Sequence, residues 1–148
     1  LVSYKKNSNV ILKMEAVDKL LAPNGYIHGG AITSLADTAT GIATFLNISK
    51  EQNFTTIELK TNFISAAKKR DILICEAVLV HKGRTTQVWD ANVQSEKNGK
   101  KIAIMRCTHK SSQMVHKSVK SRSIRILVLW QLPNTSVLTM LGEPLIHL

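Results

Sequence analysis

Residues 30–46 read GAITSLADTATGIATFL, and within them stands a single charged residue, Asp37. Ile32, Leu35, Ala36, Ala39, Ile42, Ala43 and Leu46 recur at i, i+3, i+4 and i+7, which predicts a helix from Gly30 to about Leu46 with one apolar face. Its other face holds Thr33, Asp37, Thr40, Gly41 and Thr44. A helix face left to water normally carries Lys and Glu, so small hydroxyl residues here imply that this second face is also covered, by a neighbouring subunit. Asp37 is then a lone carboxylate buried among small residues, and such a group needs a chemical reason to be there.

The flanking segments constrain the rest. NVILKMEAV at 9–17 reads as a strand that leads into the turn Pro23-Asn24-Gly25. Four further strand patterns follow the helix, at 54–65, 71–81, 85–96 and 101–109. Gly83 lies in one connection, where it is expected to take a positive φ, and Asn98-Gly99 in another, a two-residue hairpin signal. Short connections imply antiparallel neighbours. DILICEAVLV is apolar on both alternating faces, which predicts cover on both sides. The fold class is α+β: a strand, one long helix, then antiparallel strands.

At 148 residues the chain has length for one domain and not comfortably for two. The organisation read from it is a folded domain over 1–110 and an atypical tail over 111–148. That tail lacks a periodic pattern and is interrupted by Pro133 and Pro144. The first reading of the tail is a loosely ordered or non-native segment, the second a partner-binding extension. The two cysteines, Cys75 and Cys107, sit on strand patterns and read as core residues. They form no disulfide framework and show no Cys/His metal spacing, so no metal is expected and a reducing, cytoplasmic setting is. The chain opens on Leu1 rather than Met, which leaves room for a targeting segment ahead of it. No apolar run approaches the ~20 residues that span a bilayer.

The net charge of +10 raises the possibility of a nucleic-acid partner. The basic residues are scattered, however, with short clusters at Lys68-Lys69-Arg70 and Lys82/Arg84 and few aromatics between them, so stacking platforms for bases are lacking. Such clusters suit an anionic small molecule at least as well, and no nucleic-acid partner is expected.

HGGAITSLADTA at 28–39, with TTIELKTNFISAAKKRD, HKGRTTQVWDANV and GKKIAIMRCTHK after it, resembles the hotdog-fold acyl-CoA thioesterases of the phenylacetate-degradation type over roughly residues 9–110. The resemblance implies an antiparallel sheet wrapped around one long helix, a truncated version of the family's N-terminal helix, and hydrolysis of an acyl-CoA thioester without metal or organic cofactor. It implies a carboxylate eight residues after the glycine that follows the histidine, which is Asp37. It also implies a backbone N–H on the thioester carbonyl, from Gly29, and an assisting hydroxyl early in the next strand, nearest matched by Thr56. The family's Asn six residues before the histidine is absent, since Ala22 stands there; Asn24 is four residues ahead of His28.

The chemistry agrees with these residue types. Free N–H groups and the positive end of the helix dipole face whatever approaches Gly29 and Gly30, and no Cβ stands in the way. Asp37 either activates water or attacks the thioester itself to form a mixed anhydride. His28 either orients the turn or contacts substrate. Lys82, Gly83 and Arg84, with Lys68, Lys69 and Arg70, are candidates to hold CoA phosphates. Eight residues of helix rise about 12 Å, so Asp37 and Gly29 act on one thioester only if they come from different subunits. A homodimer, or a tetramer of two such dimers, is the expected assembly. Three rival readings stand beside this one: a non-catalytic acyl-CoA sensor of the same fold, a hydratase of the same fold, and a basic nucleic-acid-binding protein.

Overall fold

The computed structural model describes residues 3–5 and 9–114. Its elements run β1 (Ser3–Lys5), β2 (Asn9–Glu15), a 3-10 turn (Asp18–Leu20), α1 (Gly29–Phe45), β3 (Gln52–Phe63), β4 (Ile72–Lys82), β5 (Thr86–Ser95) and β6 (Lys101–Gln113). The strands form one sheet in the order β1-β2-β4-β5-β6-β3, with every pairing antiparallel. One helix packed on one antiparallel sheet is the α+β architecture expected from the element order. The helix and the five strands lie where the periodicity puts them, within a few residues. β1 was not foreseen, because three residues carry too short a pattern to read.

The helix carries four Thr and three Gly and has no charged residue in its first or last turn, so tertiary packing rather than propensity holds it. It buries Ile32, Leu35, Ala36, Ala39, Thr40, Ala43 and Thr44 against the sheet. Those side chains meet the inward residues of the strands, among them Val10, Leu12, Leu73, Cys75, Trp89, Val93 and Met105. Fully burying a residue such as Leu73 contributes about 1.5–3 kcal/mol.

Four expectations need correction. Thr40 and Thr44, assigned to the polar face, lie in the core. Their hydroxyls are satisfied there: Thr40 Oγ1 donates to the Asp37 carbonyl at 3.0 Å, and Thr44 Oγ1 bonds the imidazole of His109. The outer face of β4 is not covered, since Ile72, Val78 and Val80 are 39%, 38% and 50% exposed; a single helix shields only one side of the sheet. Gly83 does not take a positive φ. A Cβ there would stand 3.0 Å from Nε2 of the exposed His81 and 3.2 Å from Thr86 Oγ1, contacts that ask these neighbours to give by a few tenths of an ångström. Finally, the Asn98-Gly99 turn is longer than two residues. Ser95 N–H bonds the Lys100 carbonyl and Gly99 N–H returns to the Ser95 carbonyl, with Gly99 at φ 67°.

The boundary expected at residue 110 falls inside β6, which runs on to Gln113. The rest of the proposed tail, from residue 115, lies outside the described residues.

Candidate active site

The turn before α1 is built from its own polar groups. Asn24 Oδ1 accepts the Tyr26 N–H at 3.2 Å, and Gly25 takes φ 80°, which closes Pro23–Gly25 into a tight turn. The chain is then pinned by Ile27 N–H to the Ala67 carbonyl (3.0 Å) and His28 N–H to the Leu20 carbonyl (2.8 Å). His28 is the N-cap of α1, and its Nδ1 accepts the Gly30 N–H at 2.9 Å. Gly29 N–H, the first of the helix, finds no acceptor among the described residues. A Cβ on Gly29 would meet the Phe63 ring at 3.0 Å, so glycine keeps that N–H reachable beside an aromatic ring that is itself 55% exposed.

Asp37 lies two turns further along α1 and is partly exposed, less enclosed than expected. Around it stand Cys107, read from the sequence as a core residue and found there, and His109, to which sequence reasoning assigned no role. Its carboxylate, the Cys107 sulfur and a ring nitrogen of His109 lie within 4.8 Å of one another. Cys107 and His109 are fully buried and alternate on the inward face of β6. Cys107 Sγ is 3.1 Å from His109 Nε2, and Thr44 Oγ1 holds His109 Nδ1. Phe54 covers the imidazole, with ring centroids 5.0 Å apart. Thr56 pairs with His109 across the β3–β6 ladder and brings its hydroxyl to Cys107. Thr56 and Asp37 therefore belong to one cluster within a single chain.

The electrostatics follow from this burial. The Cys107 thiol is pushed up to about 11, chiefly by desolvation, while the hydroxyls of Thr40 and Thr56 beside it work the other way. Cys75 is pushed up to about 12 for the same first reason. The His109 imidazole is lowered by burial, against the opposing pull of Asp37. Cys107 Sγ bonds Nε2 and Thr44 Oγ1 bonds Nδ1, so both ring nitrogens of the neutral imidazole are occupied.

The basic candidates are divided between two ends of the sheet. Tyr26 bridges to Lys68, which puts Lys68, Lys69 and Arg70 at the helix-start end. Lys82, Gly83 and Arg84 follow the far end of β4, ten residue steps from Ile72, or about 33 Å. One CoA cannot be held by both groups of a single chain. Lys69 pairs with Asp18 at 2.6 Å, and Arg84 is exposed.

β3 is the other edge of the sheet and is twelve residues long. Ile57, Leu59 and Phe63 on it and Ile64 after it are 55%, 38%, 55% and 53% exposed. A long apolar edge of this kind is normally paired or protected.

The sequence signature of the thioesterase superfamily matches residues 24–102. The 1,4-dihydroxy-2-naphthoyl-CoA hydrolase of Listeria monocytogenes is 32% identical over 73% of this chain and 85% of its own length. Four bacterial putative esterases, from Pasteurella multocida, Deinococcus radiodurans, Vibrio cholerae and Pseudomonas aeruginosa, are 28–31% identical, and the chain spans 54–60% of their lengths. Among solved structures, smu.793 from Streptococcus mutans bound to acetyl CoA superposes with a TM-score of 0.68 at 31% identity, over 76% of this chain and 86% of that one. A hypothetical thioesterase from Streptococcus pneumoniae with coenzyme A does so with a TM-score of 0.66 at 25% identity, over 74% and 85%.

Proposed function

The chain belongs to the thioesterase superfamily, and we propose that it hydrolyses an acyl-CoA thioester at a site shared between two subunits. The observation that carries this reading is the pairing of two features on one helix: a Gly29 N–H with no acceptor among the described residues and a partly exposed carboxylate at Asp37. The first polarises the thioester carbonyl and holds the negative charge that develops on its oxygen. The second takes a proton from water, and the hydroxide attacks the carbonyl carbon. The C–S bond then breaks, and the CoA thiolate recovers the proton from the Asp37 carboxyl. The partial exposure of Asp37 in the single chain gives water a path to it and supports this base role over direct attack. No cofactor enters these steps.

The helix separates Gly29 from Asp37 by about 12 Å, so each thioester meets Gly29 of one subunit and Asp37 of the other. Pairing along the exposed β3 edge brings two copies into that arrangement and covers Ile57, Leu59 and Phe63. Thr56 assists beside Asp37, while His28 and Asn24 hold the Gly29 turn in shape. Gly30 lets the acyl group pass close to the backbone, and Lys82, Gly83 and Arg84 receive the CoA phosphates. The exposed outer face of β4 suits association of two dimers. Among the described residues no helix is long and apolar enough to cross a membrane, and the proposed setting is the cytoplasm.

The relative from Listeria monocytogenes is named for an aryl-CoA substrate, so the test uses aryl as well as short, medium and long aliphatic acyl-CoAs. CoA release is measured for the native chain and for Asp37→Asn. The proposal expects release from at least one thioester and a loss of about 10²–10⁴-fold in the variant. Binding of acyl-CoA with no release by the native oligomer would replace it with a non-catalytic acyl-CoA-binding module.

A further inference from the structure

The cluster at the middle of α1 has a property that the proposed hydrolysis does not use. We propose that Asp37, Cys107 and His109 form a binding site for a divalent transition metal ion of the zinc class.

The three donors come from two rigid elements, one from the helix and two from alternate positions of β6, and lie within 4.8 Å of one another. Around a tetrahedral zinc ion, with bonds of about 2.0–2.3 Å, neighbouring ligand atoms stand about 3.3–3.6 Å apart. The Cys107 sulfur and His109 Nε2 are already 3.1 Å apart, and Asp37 is partly exposed and able to swing into place. Small rotations therefore complete the set, and the backbone need not move.

The supporting groups match what such an ion requires. Thr44 occupies His109 Nδ1, which leaves Nε2 on the side of Cys107 and fixes the ring as a second partner does for metal-bound histidines. The hydroxyl of Thr56 stands beside the sulfur and can donate to it once it is a thiolate. Binding releases the thiol proton to solvent. One carboxylate, one thiolate and one neutral imidazole then balance the charge of a divalent cation in a largely apolar surrounding. Sulfur and nitrogen donors select zinc-class ions over magnesium and calcium. Three protein ligands and one side open to solvent leave a fourth position for water. The site shares Asp37 with the proposed catalysis, but its existence does not depend on that reading.

The test uses the full chain and a metal alone. Stripped protein is titrated with cobalt(II), a spectroscopic substitute for zinc, and the absorption is followed. The proposal expects one equivalent per chain, visible bands of tetrahedral cobalt and a near-ultraviolet thiolate-to-metal band, all displaced by zinc. Cys107→Ser should remove the thiolate band and Cys75→Ala should keep it. Asp37→Asn, a near-isosteric change at a partly exposed position, should weaken binding on the order of tenfold or more. A folded native chain that gives no tetrahedral spectrum, or a thiolate band that survives Cys107→Ser, would overturn the proposal. Cobalt affinity unchanged in Asp37→Asn would overturn the assignment of the carboxylate.

Discussion

His28 Nδ1 accepts the N–H of Gly30 at 2.9 Å, across a residue whose own N–H has no partner among the described residues. The histidine thus caps the helix one position beyond the donor that the proposed chemistry needs. Gly29→Pro separates these roles. Proline is well tolerated at the first helical position, and His28 already has the extended backbone (φ −66°, ψ 135°) that a following proline favours. The exposed Phe63 ring, 3.0 Å from where the new Cβ stands, has to turn aside, so Phe63→Ala serves as the control for that shift. The variant should keep its helix by circular dichroism and lose about 10²–10³-fold in acyl-CoA turnover with the N–H.

Thr44 and His109 bond inside the core, both 1% exposed or less. Thr44→Val keeps the shape and leaves the buried imidazole Nδ1 without its partner, which should cost about 1–3 kcal/mol in urea denaturation. A variant as stable as the native chain would show that this bond contributes no net stability.

The buried groups also set the direction of pH effects. His109 is lowered in the folded chain from its ordinary 6.5, so the unfolded chain binds its proton first. Its neutral form adds stability above about pH 6.5, and that contribution is lost as pH falls through 6.5 towards the folded value. Cys107 is raised from 9.0 to about 11. Its contribution is present below pH 9 and lost as pH rises from 9 to about 11. Unfolding followed by urea between pH 5 and 10 should show stability falling at both ends, and a His109→Gln variant should flatten the acid limb.

If the metal site and the hydrolytic site share Asp37, zinc ion should inhibit acyl-CoA hydrolysis and a chelator should restore it. In Cys107→Ser, half-inhibition should need on the order of tenfold more zinc or above. Equal sensitivity of the two proteins, read as initial rates of CoA release, would separate the metal from the active site.

The sequence was most legible where a pattern repeats. The alternation of β4 to β6 and the 3.6-residue period of α1 place those elements, and Asp37 is conspicuous because no other charge lies near it on the helix. Thr40 and Thr44 were misassigned because a hydroxyl reads as polar until its partner is known, and Thr44's partner is sixty-five positions away. Gly83 was read as a conformational glycine, but its φ is not positive and what lies against it is His81 and Thr86. Cys107 and His109 were hidden because their one-residue spacing matches no metal motif. Its one available signal was two ligand-type side chains on the inward face of a single strand. Gly29 and Asp37 were legible as types and spacing, but their proposed meeting across subunits is not something a single chain can display.

That meeting is open to a direct measurement. Asp37→Asn and Gly29→Pro chains, each inactive alone, are unfolded, mixed in equal amounts and refolded together, and CoA release is compared with native protein treated in the same way. In a symmetric dimer with shared sites, half of the dimers are mixed and each mixed dimer holds one intact site, so about a quarter of the native rate should return. No recovery, with mixed dimers confirmed by mass, would mean that Gly29 and Asp37 do not act across subunits, and would contradict the account.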